Sequence, residues 1–448
     1  MSYIALSDQD KKEMLARIGV SSVDELFGCL PDEIKLKRKL NLREALTEPE
    51  LLRRFEELSA KNSYVDHLSF LGAGIYRHFI PTVVDSLSSR GEFLTPYTPY
   101  QPEISQGTLQ VIFEYQTLIC QLTGLDIANA SLYDGATAAA EAVLMAHRIK
   151  ARPKVLVART LHPQYRHVVR TYIQSLGVEA VEFGYGQDGR ADLADLEKKT
   201  DAGTAAVLFQ SPNVFGVVED VRSLSDLAHR GQALSVAVVA EAASLGILEA
   251  PGVLGADIAT GEAQSFGMPL SYGGPGLGFM ACAKEFVRQL PGRIAGQTVD
   301  VDGKRGFVLT LSTREQHIRR ENATSNICSN QALCAVRATM FLETLGAAGL
   351  RDWALQNVHK TRYARDEFSR VKGVELRFGG PVFNEFVVDF GKNGPSVGKA
   401  LRAKGILAGY PLGRDYPELK EAVLVCVTET RRREDIDRLV QAVKEALR

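Results

Sequence analysis

Between residues 154 and 240, short β-like runs alternate with helical stretches, and no other feature limits the fold so strongly. KVLVA (154–158) precedes a helical pattern over 165–176, and VEAVEF (178–183) precedes another over 192–199. AAVLFQ (205–210) leads to a helical pattern over 221–230, and LSVAVVA (234–240) closes the series. Such alternation predicts an α/β fold around a mostly parallel sheet. Ligands on these sheets bind beyond the carboxyl ends of the strands. His162, Asn213, Glu241 and the stretch 261–279 are therefore expected along one rim.

That last stretch reads GEAQSFGMPLSYGGPGLGF and runs into the apolar FMACA. Gly273, Gly274, Gly276 and Gly278 suit backbone with positive φ or a close approach to another group. A nucleotide reading fails on context. GGPGLG follows a loop and precedes an apolar run, whereas a dinucleotide fingerprint follows a strand and opens a helix. Upstream, Asp134–Gly135–Ala136–Thr137 opens a helix, which makes it either a seat for an anion or a plain N-cap. FLTPYTPYQPEISQG (93–107) carries three prolines with Tyr97, Tyr100, Glu103, Ser105 and Gln106. Prolines stiffen such a loop, so it presents rigid aromatic groups either at a site or as a surface turn.

The flanks complete the layout. Residues 1–60 form a charged helical arm, with one helix capped by Ser7 or Asp8 and a second over 23–30. Residues 61–335 make the large α/β domain. It includes a long loop that begins where 281–294 ends a helix and continues through the polar stretch 310–336. The arginines of that stretch are expected to pair with carboxylates or meet an anion. Residues 336–448 make a smaller α/β domain, after a long helical region over 331–371 that breaks near Gly346–Gly349. A formal net charge of −1 gives no global field for nucleic acid or an anionic membrane. The charge runs at 35–39 and 431–435 read as solvated faces. Six cysteines lack zinc-ligand spacing, which fits reduced thiols in the cytoplasm. The first thirty residues hold no signal-peptide core, and no apolar run reaches membrane-span length.

The strings YTPYQPEISQG, YDGAT, SYGGPGLGF, REQHIRR and ATSNIC together resemble the glycine cleavage system P-protein in its split form, along essentially the whole chain. The resemblance implies fold type I of the pyridoxal-phosphate (PLP) enzymes. It also implies that glycine condenses with PLP, loses CO2, and passes its aminomethyl group to the lipoyl arm of H-protein. In that fold a lysine forms a Schiff base with PLP, an acid meets the pyridine nitrogen, and a helix start seats the phosphate. Aligning the glycine turn puts Gln264 at the lysine position, and an amide cannot form a Schiff base. Lys284, the only lysine between Arg230 and Lys304, lies past the FMACA run. Glu241 stands at the strand-end acid, His162 at the ring-stacking position, and Asp134, Gly135 and Thr137 at the phosphate helix, all as a vestigial pocket. PLP is then expected on a partner subunit in an α2β2 assembly. Tyr97, Tyr100, Glu103 and Gln106, with Thr324, Ser325 and Asn326, would wall the shared site. The rival readings are a self-sufficient PLP lyase with another lysine, and a non-catalytic scaffold for the PLP subunit.

Overall fold

The structure is a computed structural model that describes residues 5–325, 327 and 329–448. It divides into two compact units, Met1–Tyr64 and Val65–Arg448. In the first unit, Ser7 and Asp10 close a capping box at the start of helix Asp8–Ile18, and Gly19 ends it at φ 89°. The helix expected over 23–30 is a single turn, Asp24–Phe27. A helix the sequence reading passed over runs Glu48–Ser59, its start fastened by Thr47 and Glu50. No side chain of these elements is buried, so nothing inside this unit covers their apolar residues.

The second unit is built on a seven-stranded sheet. Its strands in chain order are β1 (Ile127–Ala128), β2 (Lys154–Ala158), β3 (Glu179–Phe183), β4 (Thr204–Gln210), β5 (Leu234–Val239), β6 (Ile258–Glu262) and β7 (Gly278–Cys282). Across the sheet the order is β1-β7-β6-β5-β4-β2-β3. The links among β2 to β6 are parallel, while β7 runs antiparallel to both β6 and β1. Every residue of β4, β5 and β6 is buried, as expected of strands covered on both faces. Helix Gly135–Lys150 packs its alanine face on one side, and helix Val221–Arg230 packs on the other.

After β7 the structure departs from expectation. Residues 294–310, read as part of a long polar loop, form an antiparallel hairpin of Ile294–Val299 and Arg305–Thr310. Its turn is closed by Asp300, whose carboxylate accepts from the N–H groups of Asp302 and Lys304, with Gly303 at φ 77°. The two arms are short and mixed in polarity, which hid their period. Two glutamines of helix Gln106–Thr123 hold the hairpin. Gln106 pairs with both backbone groups of Phe307, and Gln116 with both of Ala295.

The long helix Ala332–Ser369 breaks at Gly346 (φ 60°), where the sequence places its interruption. It is long and apolar enough to cross a membrane, contrary to the expectation that no segment is. Its apolar residues are instead buried in protein cores: Phe341, Leu350 and Trp353 beneath the large sheet, and Phe368 in the smaller one. A four-stranded antiparallel sheet of Glu375–Leu376, Glu385–Asp389, Ala422–Cys426 and Tyr410–Pro411 backs that second core. Of the expected solvated run at 431–435, Arg431 is in fact buried, its guanidinium 5.9 Å from the Phe70 ring centre.

Candidate functional site

Strand order and crossover direction converge on a cavity of about 340 Å³ at the carboxyl rim of the sheet. The end of β6 contributes Glu262 and, two residues on, Gln264. The loop after β2 contributes His162, and the start of helix Gly135–Lys150 contributes Asp134, Gly135 and Thr137. The glycine turn 273–276 and residues Ala73–Ile75 close the remaining sides. The sequence-predicted pocket residues Asp134, Gly135, Thr137, His162 and Gln264 thus share one cavity. Glu241 does not line it, and neither does Asn213, whose side chain is buried against Gly189 and Glu219.

Gln264 is fully committed. Its Oε1 accepts from the Tyr76 N–H at 3.0 Å, and its Nε2 donates to the carbonyls of Tyr76 (3.1 Å) and Met268 (2.6 Å). An amide can accept with its oxygen and donate twice with its nitrogen, which matches this stretch of backbone. An ammonium has three donors and no acceptor, so a lysine could not satisfy the Tyr76 N–H.

The helix start is filled from within the chain. The Thr137 N–H binds the Asp134 carboxylate at 2.8 Å, an N-cap contact. The Gly135 N–H donates to Glu262 Oε2 at 2.9 Å, while Glu262 Oε1 accepts from Leu277 (2.7 Å) and from Gln264 (3.0 Å). Burial lifts the Glu262 carboxyl to about 7, and the N–H groups of Leu277 and Gly135 oppose that shift. Glycine is required on both sides of this carboxylate. A Cβ at Gly135 would stand 2.8 Å from Glu262 Cβ, and one at Gly276 2.9 Å from Glu262 Oε2. Sequence reasoning missed Glu262. No local pattern marks it, because its role depends on the helix start and the glycine turn that meet it in the fold.

His162 caps helix Pro163–Ile173. Nδ1 accepts from the Gln164 N–H (3.2 Å), and Nε2 bonds to the Ala73 carbonyl (3.0 Å), which selects the Nε2–H tautomer. Burial holds it below the ordinary imidazole range and therefore neutral.

The strand-end acid has found another partner. Glu241 Oε2 meets His78 Nε2 at 3.1 Å and Asn384 Nδ2 at 3.0 Å, and Oε1 accepts from Ala243 at 2.9 Å. His78 Nδ1 in turn lies 2.7 Å from Glu429. Burial alone would lower the His78 pKa, but Glu241 and Glu429 outweigh it and raise it to about 9, so the ring is charged. Next to it, the Tyr76 hydroxyl donates to Glu385 at 2.8 Å. The segment from Ala73 to His78 thus joins the rim of the large sheet to the start of the inner strand Glu385–Asp389 of the small one.

The stiff loop lies apart from the cavity. Tyr97 is 94% exposed, and Glu103 is exposed as well. Tyr100 is anchored: its hydroxyl bonds Asn330, and the Arg293 guanidinium lies 4.0 Å from its ring centre. Asn330 also donates to the Ser131 hydroxyl. Gln106 is occupied by Phe307 and Pro102. Thr324 and Ser325 line a separate small recess with Arg293, Arg314 and Glu315, and Asn326 lies outside the described residues. Arg314, expected to pair with carboxylates or an anion, donates instead to the carbonyls of Leu290, Gly292 and Leu311. Among the described residues no cluster of His, Cys, Asp or Glu could hold a metal.

The residues present do not fit PLP. The position where the resemblance expects a lysine carries an amide already bonded three times, and a carboxylate accepts from the helix-start N–H. The strand-end acid is neutralised by His78.

Comparison with known proteins gives this geometry a context. A family model described as glycine cleavage system P-protein matches residues 1–443. A Moorella thermoacetica protein described as probable glycine dehydrogenase (decarboxylating) subunit 1 is 53% identical over 447 residues, covering 100% of both chains. A Bacillus cereus protein of the same description is 49% identical, covering 98% of each. Among solved structures, an inhibitor-bound glycine decarboxylase (P-protein) of the glycine cleavage system matches with a TM-score of 0.93 and 44% identity over 100% of both chains. A Lactobacillus brevis glutamate decarboxylase matches with a TM-score of 0.70 at 13% identity, covering 94% of this chain and 97% of that one, which speaks for the fold alone. That fold is type I of the PLP enzymes.

Proposed function

Because the chain belongs to the glycine cleavage system P-protein family, we propose that it works as subunit 1 of a decarboxylating glycine dehydrogenase, beside a second subunit that carries PLP. The observation behind the division of labour is Gln264, whose amide has no chemistry to offer PLP and is bonded on both faces. PLP on the partner supplies the electron sink that loss of CO2 from glycine requires. The aminomethyl group then passes to the lipoyl arm of H-protein. The reading includes an α2β2 assembly, and the described cysteines, all free thiols, suit a reducing compartment such as the cytoplasm.

The part left to this chain is one of shape. Tyr97 and Glu103 stand exposed on a proline-stiffened loop, able to orient substrate or exclude water from a neighbouring site. Tyr100 and Gln106 are already engaged within the chain and serve to set that loop. The same engagement gives the scaffold reading its one support, because two of the four loop candidates face their own protein. The co-purified complex decides between the two. Borohydride reduction in the presence of PLP should label the partner and leave this chain unlabelled. This chain alone should not decarboxylate glycine, and a PLP label on it would overturn the assignment.

A further inference from the structure

We propose that Glu262 is the chain's own anion in the seat that a phosphate group would take, and that it keeps this cavity closed to phosphorylated ligands. The inference extends the subunit reading by naming what replaced the phosphate. Helix starts attract anions because their first N–H groups are unpaired and carry the positive end of the helix dipole. Here the Gly135 N–H points at Glu262 and the Thr137 N–H at Asp134, so the seat is occupied by carboxylates of the chain. Glu262 has lost nearly all contact with solvent at 7% exposure, yet it is satisfied by N–H groups from three places: the helix start, the end of the glycine turn and its own strand end. Gly135 and Gly276 clear the space it fills. Such a carboxyl group fills the volume of a small oxyanion and, above its pKa of about 7, also meets a free anion with a negative charge. Its burial cost is offset by the same three N–H groups that would otherwise solicit a phosphate.

The test uses the full chain as wild type, Glu262→Ala and Glu262→Gly. Thermal melts are compared in chloride, phosphate and acetate at equal ionic strength. Equilibrium dialysis then measures binding of PLP, with pyridoxal, which lacks the phosphate, as control. The wild type should melt alike in all three anions and hold no dialysable PLP. Both variants should melt lower in chloride and be raised selectively by phosphate and by acetate, the latter replacing the lost carboxylate. They should also bind PLP saturably where the wild type does not, with no such gain for pyridoxal. Saturable binding of phosphate or PLP by the wild type overturns the proposal. Variants that show no anion-selective gain overturn it, and so do variants that fail to fold in any of the three anions, since the seat then needs the side chain's attachment and not its charge. A wild-type chain that binds PLP but turns over glycine only with its partner removes this inference and leaves the subunit reading standing. A chain that decarboxylates glycine by itself removes the subunit reading.

Discussion

At the scale of single residues, His78 makes the clearest demand on experiment. It is charged between Glu241 and Glu429, with its ring against Trp353 at 4.7 Å. Its pKa is raised to about 9 by those two carboxylates, against the effect of burial. The stabilisation is therefore complete below the unfolded-state value near 6.5 and is lost as the pH rises through about 9. Stability should fall by roughly 3 kcal/mol across that window. His78→Gln should flatten the slope, which melts at a series of pH values would measure. Tyr97→Ala carries the opposite signature. With 94% of its surface in solvent, its loss should change stability by less than about 0.5 kcal/mol. Turnover of the assembled complex should nonetheless fall several-fold, and unchanged kinetics would remove Tyr97 from the shared site. Gln264 could be found from sequence because the family's lysine gave it a position to be compared with. Glu262 and His78 could not. Their roles depend on groups brought together from distant parts of the chain, and neither has a local pattern.

At the scale of elements, the parallel core was legible because each strand carries its own apolar run and each crossover its own helical period. The hairpin over 294–310 was not, since its stability comes from outside it. Gln116 is buried, and its amide satisfies both backbone groups of Ala295. Gln116→Leu would strand that N–H and C=O, at a cost of roughly 2–4 kcal/mol in chemical denaturation. Gln106→Leu breaks the matching pair at Phe307 where water can replace it, and should cost about 1 kcal/mol. Equal losses at the two positions would contradict this account of how the hairpin is held. The helix Glu48–Ser59 was missed for a plainer reason. Its capping residues Thr47 and Glu50 are a readable start signal that was passed over.

At the scale of the whole molecule, every core residue lies from Phe70 onward. A chain of residues 65–448 should therefore fold cooperatively, with a melting temperature within a few degrees of the full chain, as circular dichroism would record. The fold class was legible at this scale because it needs only the order of the elements. The state of the cavity was not, because it rests on side chains meeting across them. The amide of Gln264 also holds Tyr76, whose hydroxyl reaches Glu385 on the small sheet. A lysine placed at position 264 would supply an amine and, in the same step, release the backbone that joins the two sheets. Position 264 thus behaves as a one-way valve: neighbours that rely on the amide oppose a lysine there.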